Sequence, residues 1–181
     1  MPAAGFEIRQ AVLDDAADIA RVKIQGWHEA YTGIVPDSVL ASLDHADHTR
    51  RWRQIIERNA TNTARFVAEV PIVGIVGFVD CGPLRYAGPE EGGEITAIYV
   101  LGAAQRRGVG RALMAAAAGA LKSYGMTGLT AWVLADNQPA RDFYEALGGV
   151  QTKEMSVTIG RELSEVAYFW EDAGRLLPRG Y

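Results

Sequence analysis

The sequence predicts an α+β fold in which seven strands are interleaved with helices in the order βααα-βββ-α-β-α-ββ. Three observations predict it: β-branched or alternating runs bounded by glycine, helical stretches opened by Asp or Pro, and one alanine-rich helix set between two apolar strands. The 181 residues suit a single domain, expected over 1–171 with a short tail over 172–181. No internal repeat, linker or low-complexity segment interrupts it.

Phe6 to Ala11 alternates and predicts the first strand. Asp14 or Asp15 then caps a helix carrying Ile19, Val22 and Trp27 that runs to about Tyr31. Gly33 and Pro36 break it, Asp37 restarts a short helix through Leu40, and Thr49 to Arg58 is helical again. Ala64 to Val70 and Ile72 to Asp80 form a strand pair, and a loop over Gly88 to Gly93 leads into the strand Glu94 to Val100. A helix continues from Arg111 and ends near Gly125. Leu129 to Leu134 is a fifth strand, Pro139 opens a helix closed by Gly148-Gly149, and Val150–Ile159 and Leu163–Trp170 are the last two strands.

Gln105-Arg106-Arg107-Gly108-Val109-Gly110-Arg111 lies between the strand Glu94 to Val100 and the alanine-rich helix. Glycine there lets a ligand approach the backbone, and the free amides of a first helical turn favour an anion, most naturally a phosphate. The flanking arginines deepen that preference. A Walker A loop is excluded, because no Gly-Lys-Ser or Gly-Lys-Thr occurs. A dinucleotide fingerprint fails too, since Leu113 holds its third glycine position.

What remains is Q-x-x-G-x-G after a strand and before a helix, which resembles the pyrophosphate loop of the GCN5-related N-acetyltransferases. The resemblance extends over nearly all of the chain and implies that family's three-layer fold, a mixed and mostly antiparallel central sheet flanked by helices. It also implies acetyl-CoA as co-substrate. Backbone groups of Ile98, Tyr99 and Val100 would hold the pantetheine arm like an added strand, and the amides of Arg106, Arg107, Gly108, Val109, Gly110 and Arg111 the pyrophosphate. Asn137 and Tyr144 stand where the family places an asparagine after the fifth strand and a tyrosine in the next helix. Gly149 replaces the aromatic usual after that helix, which is expected to loosen local packing. Trp27, Tyr31 and the Gly33-Ile34-Val35-Pro36 stretch resemble a signature of bacterial members, whose substrate sits under these helices. Trp27, Tyr31 and Trp132 are therefore expected to line an acceptor pocket.

N-acetylation needs a neutral amine, yet a primary amine has a pKa of about 10.4, so a base or a proton-shedding water path is required. Glu94, fourteen positions before Gly108, resembles the glutamate base of the histone-acetylating branch; the alternative is an exposed carboxylate at a strand end. The position of the base used by ribosomal-protein acetyltransferases is Trp132 here. The leaving thiolate must be protonated, and Tyr144 is the expected acid. The expected reaction is transfer to a primary amine of a small molecule; the alternatives are a protein or peptide acceptor and a non-catalytic acyl-CoA sensor.

A net charge of −4 argues against a nucleic-acid partner. His45 and His48 lack a third ligand, so no metal is expected, and the single Cys81 is not needed as a nucleophile in direct transfer. The longest apolar run, Leu113 to Leu121, is too short to span a bilayer. With no signal peptide read at the start, a cytoplasmic protein free of membrane is expected. The last two strands are placed to pair across a homodimer.

Overall fold

The structure is a computed structural model that describes residues 5–85 and 92–178, so the loop expected over Gly88 to Glu91 lies outside the described residues. Seven strands form one sheet in the order β1-β2-β3-β4-β5-β7-β6. They are β1 (Glu7–Gln10), β2 (Ala64–Val70), β3 (Gly74–Pro83), β4 (Gly92–Val100), β5 (Gly128–Leu134), β6 (Val150–Thr158) and β7 (Glu162–Trp170). Every neighbouring pair is antiparallel except β4 and β5. A parallel pair needs a crossover, and the alanine-rich helix α4 (Val109–Ser123) supplies it.

Helices cover both faces. On one side α1 (Ala16–Tyr31) and α3 (His45–Arg58) bury Ile19, Ala20, Val22 and Trp52 against Val67, Ile75 and Phe78. Asp44 caps α3 by accepting from the Asp47 amide at 2.8 Å, so this helix begins four residues earlier than its apolar spacing alone predicts. The short α2 (Asp37–Ala41) seats Val35 and Leu40 on Leu134. On the other side α4 buries Leu113, Met114, Ala117, Ala118 and Leu121 against Val76, Val79, Ile95, Leu129 and Ala131. α5 (Gln138–Ala146) joins this layer through Tyr144. Small side chains on α4 bring its backbone close to the sheet, which is why an alanine run serves here.

Two expectations are corrected. Residues after Glu171 are not a free tail: Ala173–Leu176 form a 3-10 turn that buries Ala173 and Leu176 in the α4-side core, tied down by the Ala173 amide donating to the Thr127 carbonyl at 2.8 Å. Nor does Gly149 loosen the packing. It is buried, and a Cβ added there would stand 2.6 Å from the Trp170 ring. The volume expected of an aromatic at that position is filled by Trp170, whose indole donates to the Leu147 carbonyl at 3.0 Å.

Candidate active site

β4 and β5 pair only from Gly92 to Ile95 and from Gly128 to Ala131, after which they part. Opposite the parting point the β3–β4 ladder shifts register, with Asp80 facing Ala97 and Cys81 facing Ile95, so Thr96 is an extra residue on β4. Its hydroxyl bonds the Asp80 carboxylate and accompanies the bend. From Ala97 to Val100 one edge of β4 has no strand beside it, so its backbone groups line a gap, with the Val100 carbonyl taken by the Gln105 side chain. Ile98 and Val100 pack toward α4 and Tyr99 toward α1, so the three expected residues hold this edge rigid from both layers.

The far end of the gap is the arginine and glycine loop. Arg106 and Gly108 are both left-handed, with φ of 60° and 85°, and Gly108 is the N-cap of α4. No heavy atom lies within 4 Å of where a Gly108 Cβ would stand, so the loop leaves room for a ligand. Gly110 sits against Phe143 of α5, 3.1 Å from the ring if it carried a Cβ. Arg106, Arg107 and Arg111 are exposed around this helix start, while Val109 is buried and anchors it. Gln105 braces the loop by donating to the Val100 carbonyl at 2.9 Å. Glu29 of α1 accepts from the Gly102 amide at 2.8 Å and fastens the opposite helix layer to it.

At the parting point, residues from both layers meet. The Tyr31 hydroxyl lies near Tyr99, Asn137 and Glu165, and it also perturbs Tyr144. Tyr31 belongs to α1 and Tyr144 to the opposite layer, so an unbroken sheet would separate them. The splay is what brings them together. Burial, reinforced by Tyr31, pushes the Tyr144 hydroxyl well above its ordinary value, and burial does the same to Tyr99. Both are protonated donors at neutral pH. Asn137 is buried and caps α5 by accepting from the Ala140 amide at 3.3 Å. Trp27 packs edge-on against Tyr31, with centroids 5.0 Å apart, and its indole N–H is buried beside Tyr99 without a hydrogen bond.

Glu94 is not an exposed strand-end carboxylate. It is fully buried, and both oxygens are engaged by Arg85: one by the backbone amide at 2.9 Å, the other by Nε at 2.8 Å and by Nη2. Its pairing with Thr130 puts it on the α1 face of the sheet, the face that continues through Trp132 and Leu134 on β5 and through Glu165 and Ala167 on β7. Trp132 is half-buried there and makes no ring contact with Trp27 or Tyr31, so the three expected acceptor aromatics share a face without forming one cluster. Glu165 was not anticipated. Its signal is a lone carboxylate in the inward phase of β7, in step with Leu163, Ala167 and Phe169. Arg85 carried no sequence signal, because only the return of β3 beside β4 brings it to Glu94.

Other candidates resolve plainly. Cys81 is buried and its thiol is pushed up to about 12 by burial and by Asp80, so it is inert. No group of three or more potential metal ligands occurs among the described residues, and none of the described helices is long and apolar enough to cross a membrane. A surface hollow of about 520 Å³ is lined by Asp136, Glu154, Ser156, Glu162 and Ser164. Its β6 and β7 carboxylates and serines alternate with Glu165, which puts them on the other face of the sheet.

Residues 25–149 match the Acetyltransferase (GNAT) family. The chain belongs to that family. It is thus an acyltransferase that takes its acetyl group from acetyl-CoA, and the GNAT frame accounts for a sheet that opens between β4 and β5. An uncharacterized N-acetyltransferase of Bacillus subtilis (strain 168), YuaI, is 34% identical over 170 residues, covering 93% of this chain and 95% of its own. Among solved structures, the PaiA N-acetyltransferase from Thermoplasma acidophilum in complex with coenzyme A superposes with a TM-score of 0.71 at 18% identity, covering 89% of this chain and 97% of that one. The yncA protein from Salmonella typhimurium with acetyl-CoA gives 0.69 at 21% identity, covering 92% and 93%. At these identities the likeness to the two structures is one of fold.

Proposed function

We propose that this GNAT enzyme acetylates a primary amine of a small molecule by direct attack on the acetyl-CoA thioester. The observation that carries the small-molecule reading is the roof over the acceptor side of the gap. Arg161, at the β6–β7 turn, donates to the Ile34 carbonyl at 2.7 Å, and a Cβ at Gly160 would stand 2.6 Å from Val39. With Val35 and Leu40 packed with Leu134, the α1–α2 connection and this turn touch each other beside the end of β5, a contact that favours a small acceptor over an extended peptide.

In this reading the left-handed Arg106 and Gly108 and the first amides of α4 receive the pyrophosphate, with Arg107 and Arg111 alongside. The open edge of β4 from Ala97 to Val100 takes the pantetheine arm, and a β4 amide near the fork stabilises the oxyanion. Tyr144, held protonated by burial, donates to the sulfur as the carbon–sulfur bond breaks. Glu94 would have to break its pair with Arg85 to take a proton, so it organises the fork through Arg85.

The test is thiol release from acetyl-CoA over polyamines, amino acids, aminoglycosides and short peptides, with co-substrate binding measured in parallel. Release with one class of small amine is expected. Tyr144→Phe should then lower kcat by roughly 10²-fold or more with acetyl-CoA affinity little changed. Turnover confined to peptides would overturn the small-molecule reading, and an unimpaired Tyr144→Phe would overturn the assigned acid.

A further inference from the structure

We propose that Glu165 is the proton acceptor for the incoming amine, a catalytic residue on β7 facing the fork from the acceptor side. The inference rests on the acetyl-transfer reading and deepens it. Glu165 lies opposite Leu134 on β5 and Met155 on β6, so it shares the α1 face with Trp132 and Leu134, and Tyr31 packs on the cluster that holds Leu134. It is half-buried, and its carboxylate accepts no hydrogen bond from a described residue, whereas both oxygens of Glu94 are taken by Arg85. Among the described residues, Glu165 is thus the carboxylate without a hydrogen-bond donor and Glu94 the committed one.

The surroundings suit a base. The charged and titratable groups facing it are Arg85 from the end of β3, Glu94 on β4, Tyr31 on α1 and Lys153, which pairs with Ala167 one inward position along the β6–β7 ladder; its direct cross-strand neighbours are apolar. Burial raises the Glu165 carboxyl above the usual carboxylate range, Arg85 opposes the rise and Glu94 adds to it. Such a group binds an ammonium as a carboxylate and takes its proton more readily than an exposed glutamate. In the step itself, the ammonium gives one proton to Glu165, the neutral nitrogen attacks the thioester carbon, and the nitrogen–carbon bond forms as the carbon–sulfur bond breaks. The thiolate takes the Tyr144 proton, Tyr144 is restored by the second proton leaving nitrogen, and Glu165 releases the first to solvent.

The experiment compares wild type with Glu165→Gln, using spermidine, phenethylamine and glycinamide as acceptors from pH 6 to 10, with thermal stability and acetyl-CoA affinity measured on both. The variant is expected to fold and bind acetyl-CoA as wild type does, and to lose roughly 10²–10⁴-fold in kcat at pH 7. That deficit should shrink about tenfold per pH unit toward each amine's own pKa, about 10.4 for an alkylamine and about 8 for the α-amino group of glycinamide, because solution then supplies the neutral amine. A purely structural role leaves a deficit that does not change with pH. Activity within threefold of wild type, or a pH-independent loss, overturns the proposal. If wild type transfers to none of the acceptors, the amine-acetylation reading itself fails. Glu165 is then judged by NMR titration of ¹³C-labelled glutamate carboxyls: a Glu165 resonance titrating near the ordinary 4.3 and unmoved by Glu94→Gln overturns it.

Discussion

Replacing Glu94 by Gln tests whether that carboxylate is a structural organiser. Its side chain is 1% exposed, and three donors from Arg85 converge on it. Gln keeps one acceptor oxygen but loses the charge, and its amide turns a donor toward the guanidinium. Breaking one partner of a buried pair typically costs about 3–5 kcal/mol. The Arg85 side chain, however, is 53% exposed and can recover water, which brings the expected cost down to about 2 kcal/mol. For a domain of this size that is a fall in Tm of roughly 4–8 °C. Urea and thermal unfolding followed by circular dichroism would measure it, with Arg85→Ala and the double variant completing a cycle. Arg85→Ala should cost at least as much, since it strands a fully buried carboxylate, and the double variant less than the sum. A cost below about 0.5 kcal/mol for Glu94→Gln, with additive behaviour in the cycle, would show that the Glu94–Arg85 pair does not organise the fold.

Further expectations concern the loop and the acid limb of stability. Gly108→Ala should lower stability by only about 1–2 kcal/mol, the cost of a Cβ in a left-handed conformation, because nothing lies within 4 Å of that Cβ. Gly108→Asp should fold comparably yet lose most acetyl-CoA affinity by calorimetry, by putting a carboxylate at the proposed pyrophosphate site; retained affinity would show that the phosphate lies elsewhere. Asp15 receives Arg9 Nη1 at 2.7 Å, Arg9 Nη2 at 2.8 Å and the Val12 amide at 2.8 Å. Burial raises its carboxyl, and these bonds together outweigh burial and lower it. A depressed carboxyl stabilises the fold above its unfolded value of about 3.9, and that contribution is lost as pH falls below it. Asp15→Asn should therefore cost about 1–2 kcal/mol at pH 7, and the gap to wild type should close toward pH 3; a gap of equal size at both pH values would contradict the assignment.

Local chemistry along the chain is legible without the fold. The order of the seven strands and of the helices between them follows from alternation, capping residues and glycine placement, which act over a few residues, whereas the earlier start of α3 and the left-handed φ of Gly108 are features of the folded chain. The Gln105, Gly108 and Gly110 motif is legible because the three lie on one contiguous turn between a strand and a helix. Only the tertiary structure decided the fork. The parting of β4 from β5 after Ile95 depends on the pairing of strands remote in sequence, and through it Tyr31 and Tyr144 meet from opposite layers. Likewise Glu94 was identified by position, but its partner Arg85 was fixed by the return of β3 along β4. Gly149 looked like a defect until Trp170, twenty-one residues on, was seen to occupy its space. Glu165 is legible as an oddity of strand phase, yet its place beside Tyr31, Arg85 and Glu94 is set by contacts that no local pattern encodes.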